Sequence, residues 1–232
     1  MLSVFLVPEI TTADTLIVDG SEAHHAIKVM RLNVGEEIVV TDGAGHWAQG
    51  LVSSVDKKSF GISLSRRGFE EPHVPELIVI QALTKSDRMR ETIELLTVAG
   101  VDRIIPWKAE RSIAQEKENL IEKWKAVAEA ACKQSRRLRF PTIENALTTT
   151  QIVERFGGKL IVLHEAAAYK LSDLKFVQTD PVVIVVGPEG GITESELSQL
   201  SGEQVRLGQE VLRSAHAGFA ALSAIQVLIK RW

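Results

Sequence analysis

The chain has 232 residues, of which 45% are hydrophobic and 25% charged, and a formal net charge of −3. This suits one large or two small globular domains, and the net charge argues against a general nucleic-acid coat protein. No run reaches the roughly 18 apolar residues of a membrane span, and the start Met1-Leu2-Ser3-Val4-Phe5 lacks a signal peptide's basic and long apolar regions. The expectation is therefore a cytoplasmic protein with no membrane partner. A single cysteine, Cys132, leaves no partner for an internal disulfide and reads as a small buried apolar residue on a helix. Charge is uneven: residues 84–139 carry thirteen Lys/Arg against nine Asp/Glu, residues 1–70 six against nine. A local basic surface fits this imbalance, as does a solvated helix face.

Residues 1 to about 70 read as mostly β. Short apolar runs at Val4 to Val7, Leu16 to Val18, Ile38 to Val40, Trp47 to Val55 and Phe60 to Leu64 alternate with turns at Asp42-Gly43-Ala44-Gly45 and Asp56-Lys57-Lys58. One helix interrupts them at about Ser21 to Val29, with Ser21 as the expected N-cap. The pattern implies a small barrel. The prolines of Glu71-Pro72-His73-Val74-Pro75 end it, so the expected domains are 1–72 and 73–232.

From Glu76 strands and helices alternate, which implies an α/β domain with a mainly parallel sheet. Expected strands are Leu77 to Leu83, Val101 to Pro106, Leu160 to Leu163, Pro181 to Val186 and Gln204 to Leu207. Expected helices are Asp87 to Ala99, Glu118 to Ser135 and a closing helix from Ser214 to about Lys230. That closing helix is apolar nearly all round and requires cover on more than one side, from its own sheet or from a second copy of the chain.

The most informative stretch runs from Val182 to Glu196. Five consecutive β-branched residues, Val182 to Val186, read as a strand buried on both faces. Gly187-Pro188-Glu189-Gly190-Gly191 follows at the carboxyl end, where open α/β sheets bind ligands, and Thr193 with Glu196 forms a capping box. The spacing matches neither a Walker loop nor a dinucleotide fingerprint. Val205 to Ser214 repeats the strand, loop and helix plan, so two glycine loops frame one candidate pocket.

Five motifs occur in one order. They are His24-His25-Ala26-Ile27-Lys28-Val29-Met30-Arg31-Leu32, Lys85-Ser86-Asp87-Arg88-Met89, the run Glu129 to Arg137, the Gly-Pro-Glu-Gly-Gly turn, and Leu207-Gly208-Gln209-Glu210-Val211-Leu212-Arg213. Together they resemble the RsmE family of ribosomal RNA uridine N3-methyltransferases, in the trefoil-knotted SPOUT superfamily, over essentially the whole chain. The resemblance implies a PUA-like β-barrel in residues 1–72 and a knotted SPOUT domain in 73–232 that binds S-adenosyl-L-methionine. It implies a homodimer acting on 16S ribosomal RNA in the decoding region of the small ribosomal subunit. Carried over by position, His164, Glu165, Gly187, Pro188, Glu189, Gly190, Gly191, Leu207, Gly208, Val211, Leu212, Arg213 and Ser214 would line the cofactor site.

A sulfonium methyl is already activated, so the transfer calls for alignment rather than a metal or a covalent nucleophile. The target uridine must be unpaired or extruded before N3 is reached. Candidates for holding the RNA are Arg31, Lys85, Arg88, Arg111, Lys133, Arg136, Arg137 and Arg139. Catalytic candidates are Arg88, Arg136 and Glu189, with no general base assigned, and His24 and His25 read as packing residues. Where the family commonly has Leu-Arg-Thr-Glu-Thr-Ala, this chain has Leu212-Arg213-Ser214-Ala215-His216-Ala217. That departure keeps one alternative open, a non-catalytic RNA-binding ribosome-assembly factor; a sister knotted enzyme that methylates a ribose 2′-hydroxyl is a second alternative, within the same class.

Overall fold

The computed structural model describes residues 2–84, 86–112 and 119–232. The chain forms two compact units, Met1–Pro72 with Ala130–Phe140, and His73–Glu129 with Pro141–Trp232. The segment 130–140, assigned above with the second domain, thus clusters with the first.

In the first unit, β1 (Ser3–Leu6), β2 (Thr15–Val18), β3 (Glu37–Thr41), β4 (His46–Val55) and β5 (Phe60–Phe69) form one mixed sheet in the order β1-β3-β4-β5-β2. Irregularities in the β4/β5 register at Gln49/Gly50 and Val52/Ser54 bend the long hairpin into a half-barrel. Strand alternation sends Phe5, Ile38, Val40, Ala48, Phe60 and Ile62 into its core. Strand β5 runs to Phe69, past the expected end at Leu64, because Arg66, Arg67 and Gly68 keep pairing with β4. The helix differs from expectation too. It is a short α1 (Gly20–His24) continued by a π-helical turn, His25–Val29, and its N-cap is Asp19, without a side-chain bond, rather than Ser21. His24 and His25 are exposed, not packed.

The second unit is a three-layer α/β domain. Strands β6 (Leu77–Ala82), β7 (Arg103–Trp107), β8 (Thr142–Ile143), β9 (Leu160–Leu163), β10 (Tyr169–Lys170), β11 (Val182–Val186) and β12 (Glu203–Arg206) form a sheet in the order β10-β12-β9-β11-β6-β7-β8. Every pairing in it is parallel. Strand β11 is buried at all five positions because both faces are covered. Val182, Ile184 and Val186 meet the core under α2 (Ser86–Val98), α3 (Leu120–Ser135) and α6 (Ser214–Leu228). Val183 and Val185 meet the core under α4 (Thr149–Phe156) and α5 (Glu194–Leu200). The apolar α6 buries Ala215, Ala221, Leu222 and Ile225 but leaves Val227 60% and Leu228 41% exposed. Strands β8 and β10 and helix α4 were absent from the expected elements.

The end of α6 is anchored at the start of the sheet. Asp102 accepts hydrogen bonds from His73 Nδ1 (3.0 Å), the Leu77 N–H (3.0 Å) and Arg231 Nη1 (3.0 Å). Burial alone would raise the Asp102 carboxyl, but these bonds and the Arg231 charge outweigh it and hold its pKa below the ordinary 3.8. A pKa lower in the folded than in the unfolded state stabilises the fold above pH 3.8, and the contribution is lost as pH falls through the folded value. Asp102→Ala is expected to cost about 3 kcal/mol in urea denaturation at neutral pH, since it strands Arg231. It should also flatten the loss of stability below pH 3.8 shown by the unsubstituted protein.

Candidate functional site

A cavity of about 330 Å³ lies where β9, β11 and β12 end. Three loops wall it: His164 and Glu165 after β9, Gly187-Pro188-Glu189 with Gly191 and Ile192 after β11, and Leu207, Gly208 and Glu210 to Ser214 after β12. Such a position follows from the topology, because parallel strands deliver all their connecting loops to one edge of the sheet. Of the thirteen residues expected to line the pocket only Gly190 is absent from its wall. Its carbonyl instead accepts from Arg111 Nη1 (3.2 Å), and a Cβ there would come within 3.3 Å of Arg111 Cβ.

Two buried polar networks set the loops. At the floor, the Ser214 hydroxyl donates to the Gly187 carbonyl (2.6 Å) and accepts from Gln81 Nε2 (3.0 Å), which also reaches the Ala82 carbonyl (3.3 Å). Gln81 is fully buried in β6 and Ser214 is 7% exposed, so the first residue of α6 is tied both to the turn after β11 and to a central strand. Behind the turn stands Glu196, 1% exposed. Its Oε1 accepts from the Glu110 N–H (2.9 Å) and Thr149 Oγ1 (3.0 Å), and its Oε2 from the Thr193 N–H (3.3 Å) and Thr193 Oγ1 (3.2 Å). The capping box read from the sequence is thus also a junction of three segments. Gly191 completes the turn at φ +77°, a conformation that a side chain would strain.

The cavity wall combines charge with apolar surface. Arg88 of α2 pairs with Glu189, and both line the cavity. Val211 and Leu212 are 75% and 40% exposed, apolar side chains held outside any core. Ala215, where the family commonly has Glu, is 2% exposed, and His216 pairs with Glu91 of α2 (3.1 Å). The departure from the family pattern therefore leaves the hydroxyl at Ser214 engaged and moves polarity to the α2 surface.

The structure separates the other candidates. Arg136 does not line the cavity; it lies in the first unit with Arg31, Lys133, Arg137 and Arg139. Lys133 pairs with Glu22 (2.5 Å), and Arg139 donates to the Glu70 carbonyl (2.7 Å) while stacking over Phe69 at 5.2 Å. Lys85 falls outside the described residues. Sequence reasoning missed Gln81, which stands in an otherwise apolar strand as its one amide; a buried amide in such a run was the available signal.

Ser214→Ala would leave the Gly187 carbonyl and the Gln81 amide without this bridge. The expected loss of stability is about 1–3 kcal/mol, read by chemical denaturation, whereas Ser214→Thr should retain most of it.

An RNA methyltransferase domain model matches residues 70–226 and an RNA methyltransferase PUA domain model matches residues 18–64. The chain is 38% identical to a ribosomal RNA small subunit methyltransferase E of Mycobacterium bovis, over 95% of this chain and 89% of that one. It is 29% identical to the protein of the same name from Bacillus subtilis, over 94% and 91%. Among solved structures it is similar to the ribosomal RNA small subunit methyltransferase E of Neisseria gonorrhoeae bound to S-adenosyl methionine, with a TM-score of 0.89, 26% identity and 98% of both chains covered. A predicted RNA methyltransferase from Thermotoga maritima superposes with a TM-score of 0.75 at 28% identity, covering 99% of this chain and all of the other. With the half-barrel and the parallel sheet already described, these similarities identify the chain as a member of the ribosomal RNA small subunit methyltransferase E family, with an RNA methyltransferase domain and an RNA methyltransferase PUA domain.

Proposed function

We propose that the protein methylates N3 of a uridine in 16S ribosomal RNA of the small subunit, with S-adenosylmethionine as donor. The observation that carries this reading is the glycine-walled cavity at the ends of β9, β11 and β12, in a chain of this family. The residues present fit the donor. Backbone groups of the 187–191 turn and of Leu207 and Gly208 offer donors and acceptors to an adenine and a ribose, and burying Val211 and Leu212 against a purine removes their surface from water. S-adenosylmethionine supplies a methyl group already activated by its sulfonium.

The chain's own residues bind, orient and balance charge. The Gln81, Ser214 and Gly187 chain fixes the two glycine loops relative to each other, which orients whatever they hold. Arg88 stands at the cavity wall with its charge set against Glu189, where its guanidinium offsets negative charge that develops on the uracil ring during transfer. Holding the RNA falls to Arg111 and Lys85 of the second unit and to Arg31, Arg136 and Arg137 of the first. Lys133 and Arg139 have their main role inside the first unit.

The active form is a cytoplasmic homodimer. Val98 on α2, Val227 and Leu228 on α6, and Trp232 beyond it are 49%, 60%, 41% and 61% exposed, and α2 and α6 are joined by the Gln226 side chain bonding the Ala99 carbonyl. Such an apolar surface is covered well by a second copy. Replacing Val227 and Leu228 together by Glu is expected to shift the sedimentation coefficient to that of a monomer; an unchanged dimer would place the interface elsewhere.

The reading is tested by methyl transfer from labelled S-adenosylmethionine to small ribosomal subunits lacking the modification, followed by nucleoside mass spectrometry. Label in 3-methyluridine is expected. Label in a ribose-methylated nucleoside, or subunit binding without label, would overturn it. In the same assay Arg88→Ala should lower kcat roughly 100-fold, with S-adenosylhomocysteine affinity by calorimetry little changed.

A further inference from the structure

The outer face of the first unit's sheet carries a second cavity, of about 260 Å³. Val4 pairs with Val39 and Val39 with Gln49, while Trp47 precedes Gln49 by two residues on the same face of β4. Their neighbours Phe5, Ile38, Val40 and Ala48 point the opposite way, into the core. Trp47, Gln49 and Val39 therefore sit together on the face that the core does not use. Leu2 from the start of the chain and Leu138 and Arg136 from the segment 130–140 close the slot. That segment is held by Thr41 Oγ1 donating to the Leu138 carbonyl (2.7 Å) and by the Phe140 N–H donating to the Gly43 carbonyl (2.8 Å).

Three features make this a built site rather than a gap. First, Trp47 is laid against β5 where Gly68 has no side chain. A Cβ at Gly68 would lie 2.5 Å from Cζ2 and 2.6 Å from Cε2 of the indole, so the glycine backs one side of the ring and the ring also lines the slot. Second, Gln49 Nε2 donates to Glu37 Oε1 (2.8 Å), which orients the amide and leaves its oxygen as an acceptor. Third, Arg136 stands at the end of α3, in the left-handed backbone (φ +60°) with which helices commonly terminate. Its guanidinium is exposed, with no partner among the described residues, whereas Lys133 and Arg139 close by in sequence are engaged.

We infer that this slot seats one unpaired base of the RNA substrate, stacked on Trp47, with the Gln49 amide at its edge and Arg136 on the adjoining phosphate. An aromatic platform beside a free cation is the combination that holds single strands, and a base in a duplex does not offer its face. A peptide α-helix, about 10 Å across, does not fit a cavity of this volume. The slot lies in the unit matched by the RNA methyltransferase PUA domain model, whose matched residues include Val39, Trp47 and Gln49. The inference rests on the reading of the protein as an RNA methyltransferase and adds a second point at which its substrate is gripped.

Binding of a short, fluorescently labelled single-stranded oligoribonucleotide by the full-length protein, followed by anisotropy, tests it. Trp47→Ala is expected to raise Kd about tenfold or more, and Trp47→Phe to restore most of the affinity. Arg136→Ala should reduce the slope of log Kd against log salt by about 0.7. Affinity for a duplex of the same sequence should not respond to Trp47→Ala, and S-adenosylhomocysteine affinity should be the same in every variant. Should Trp47→Ala fail to fold, Gln49→Ala and Arg136→Ala report on the slot from residues outside the core. Single-strand affinity unchanged by these replacements, or equal losses on single strand and duplex, would overturn the slot, as would no single-strand binding by the unsubstituted protein. Methyl transfer is read separately: transfer with Trp47-independent binding leaves the enzyme reading intact, and Trp47-dependent binding without transfer leaves the slot intact.

Discussion

A buried carboxylate, that of Glu196, is the interaction on which the site most depends. It is 1% exposed and takes four hydrogen bonds, from the Glu110 N–H, the Thr149 hydroxyl and both the N–H and hydroxyl of Thr193. Taking a carboxylate out of water is tolerable only when its lone pairs are satisfied in this way. The donors come from the loop after β7, the start of α4 and the glycine turn after β11. Three segments far apart in sequence thereby acquire fixed positions, and Trp107 Nε1 extends the network by donating to Thr149 (3.1 Å). Ser214 does for the other glycine loop what Glu196 does for the first, through a hydroxyl that bridges Gln81 and the Gly187 carbonyl. The cavity between the loops is shaped from below and behind by these two networks, and its glycine turns can be bare because their geometry is imposed from outside.

Much of this is legible in the sequence where the signal is local. The run Val182 to Val186 announces a strand covered on both faces, and it is buried at every position. The capping box Thr193/Glu196 marks the next helix, and both of its bonds are present. What stayed hidden depends on long-range partners. Nothing near Glu196 indicates that its carboxylate also receives Thr149 and Glu110, and nothing near Ser214 points to Gln81, 133 residues away. Strands β8 and β10, of two residues each, exist only because neighbouring strands offer them a ladder, so no periodicity could reveal them. Segment 130–140 continues a helix of the second unit, so sequence continuity assigned it there, while Thr41, Gly43 and Glu70 bind it to the first.

The basic residues show how differently one composition is used. Arg136, Arg137 and Arg139 read alike in sequence. In the structure Arg139 braces the Glu70 carbonyl and stacks on Phe69, whereas Arg136 is exposed beside an aromatic slot. In the other unit Arg88 pairs with Glu189 at the wall of the cavity and Arg111 holds the Gly190 carbonyl. The stretch Ser214-Ala215-His216-Ala217, which departs from the pattern expected by resemblance, fits its surroundings for a physical reason: Ser214 supplies the hydroxyl that matters to the floor, and position 215 is buried, where alanine brings no charge that would need a partner.

A crystal structure of the protein with S-adenosylhomocysteine is the most direct test of the account, because it asks whether the two glycine loops are one ligand site. The expected result is density for the adenosyl group against Val211 and Leu212, with the backbone of the 187–191 and 207–208 turns within hydrogen-bonding distance and the Gln81, Ser214 and Gly187 chain intact. Density elsewhere on the protein, or a ligand bound only after that chain has been broken, would contradict it.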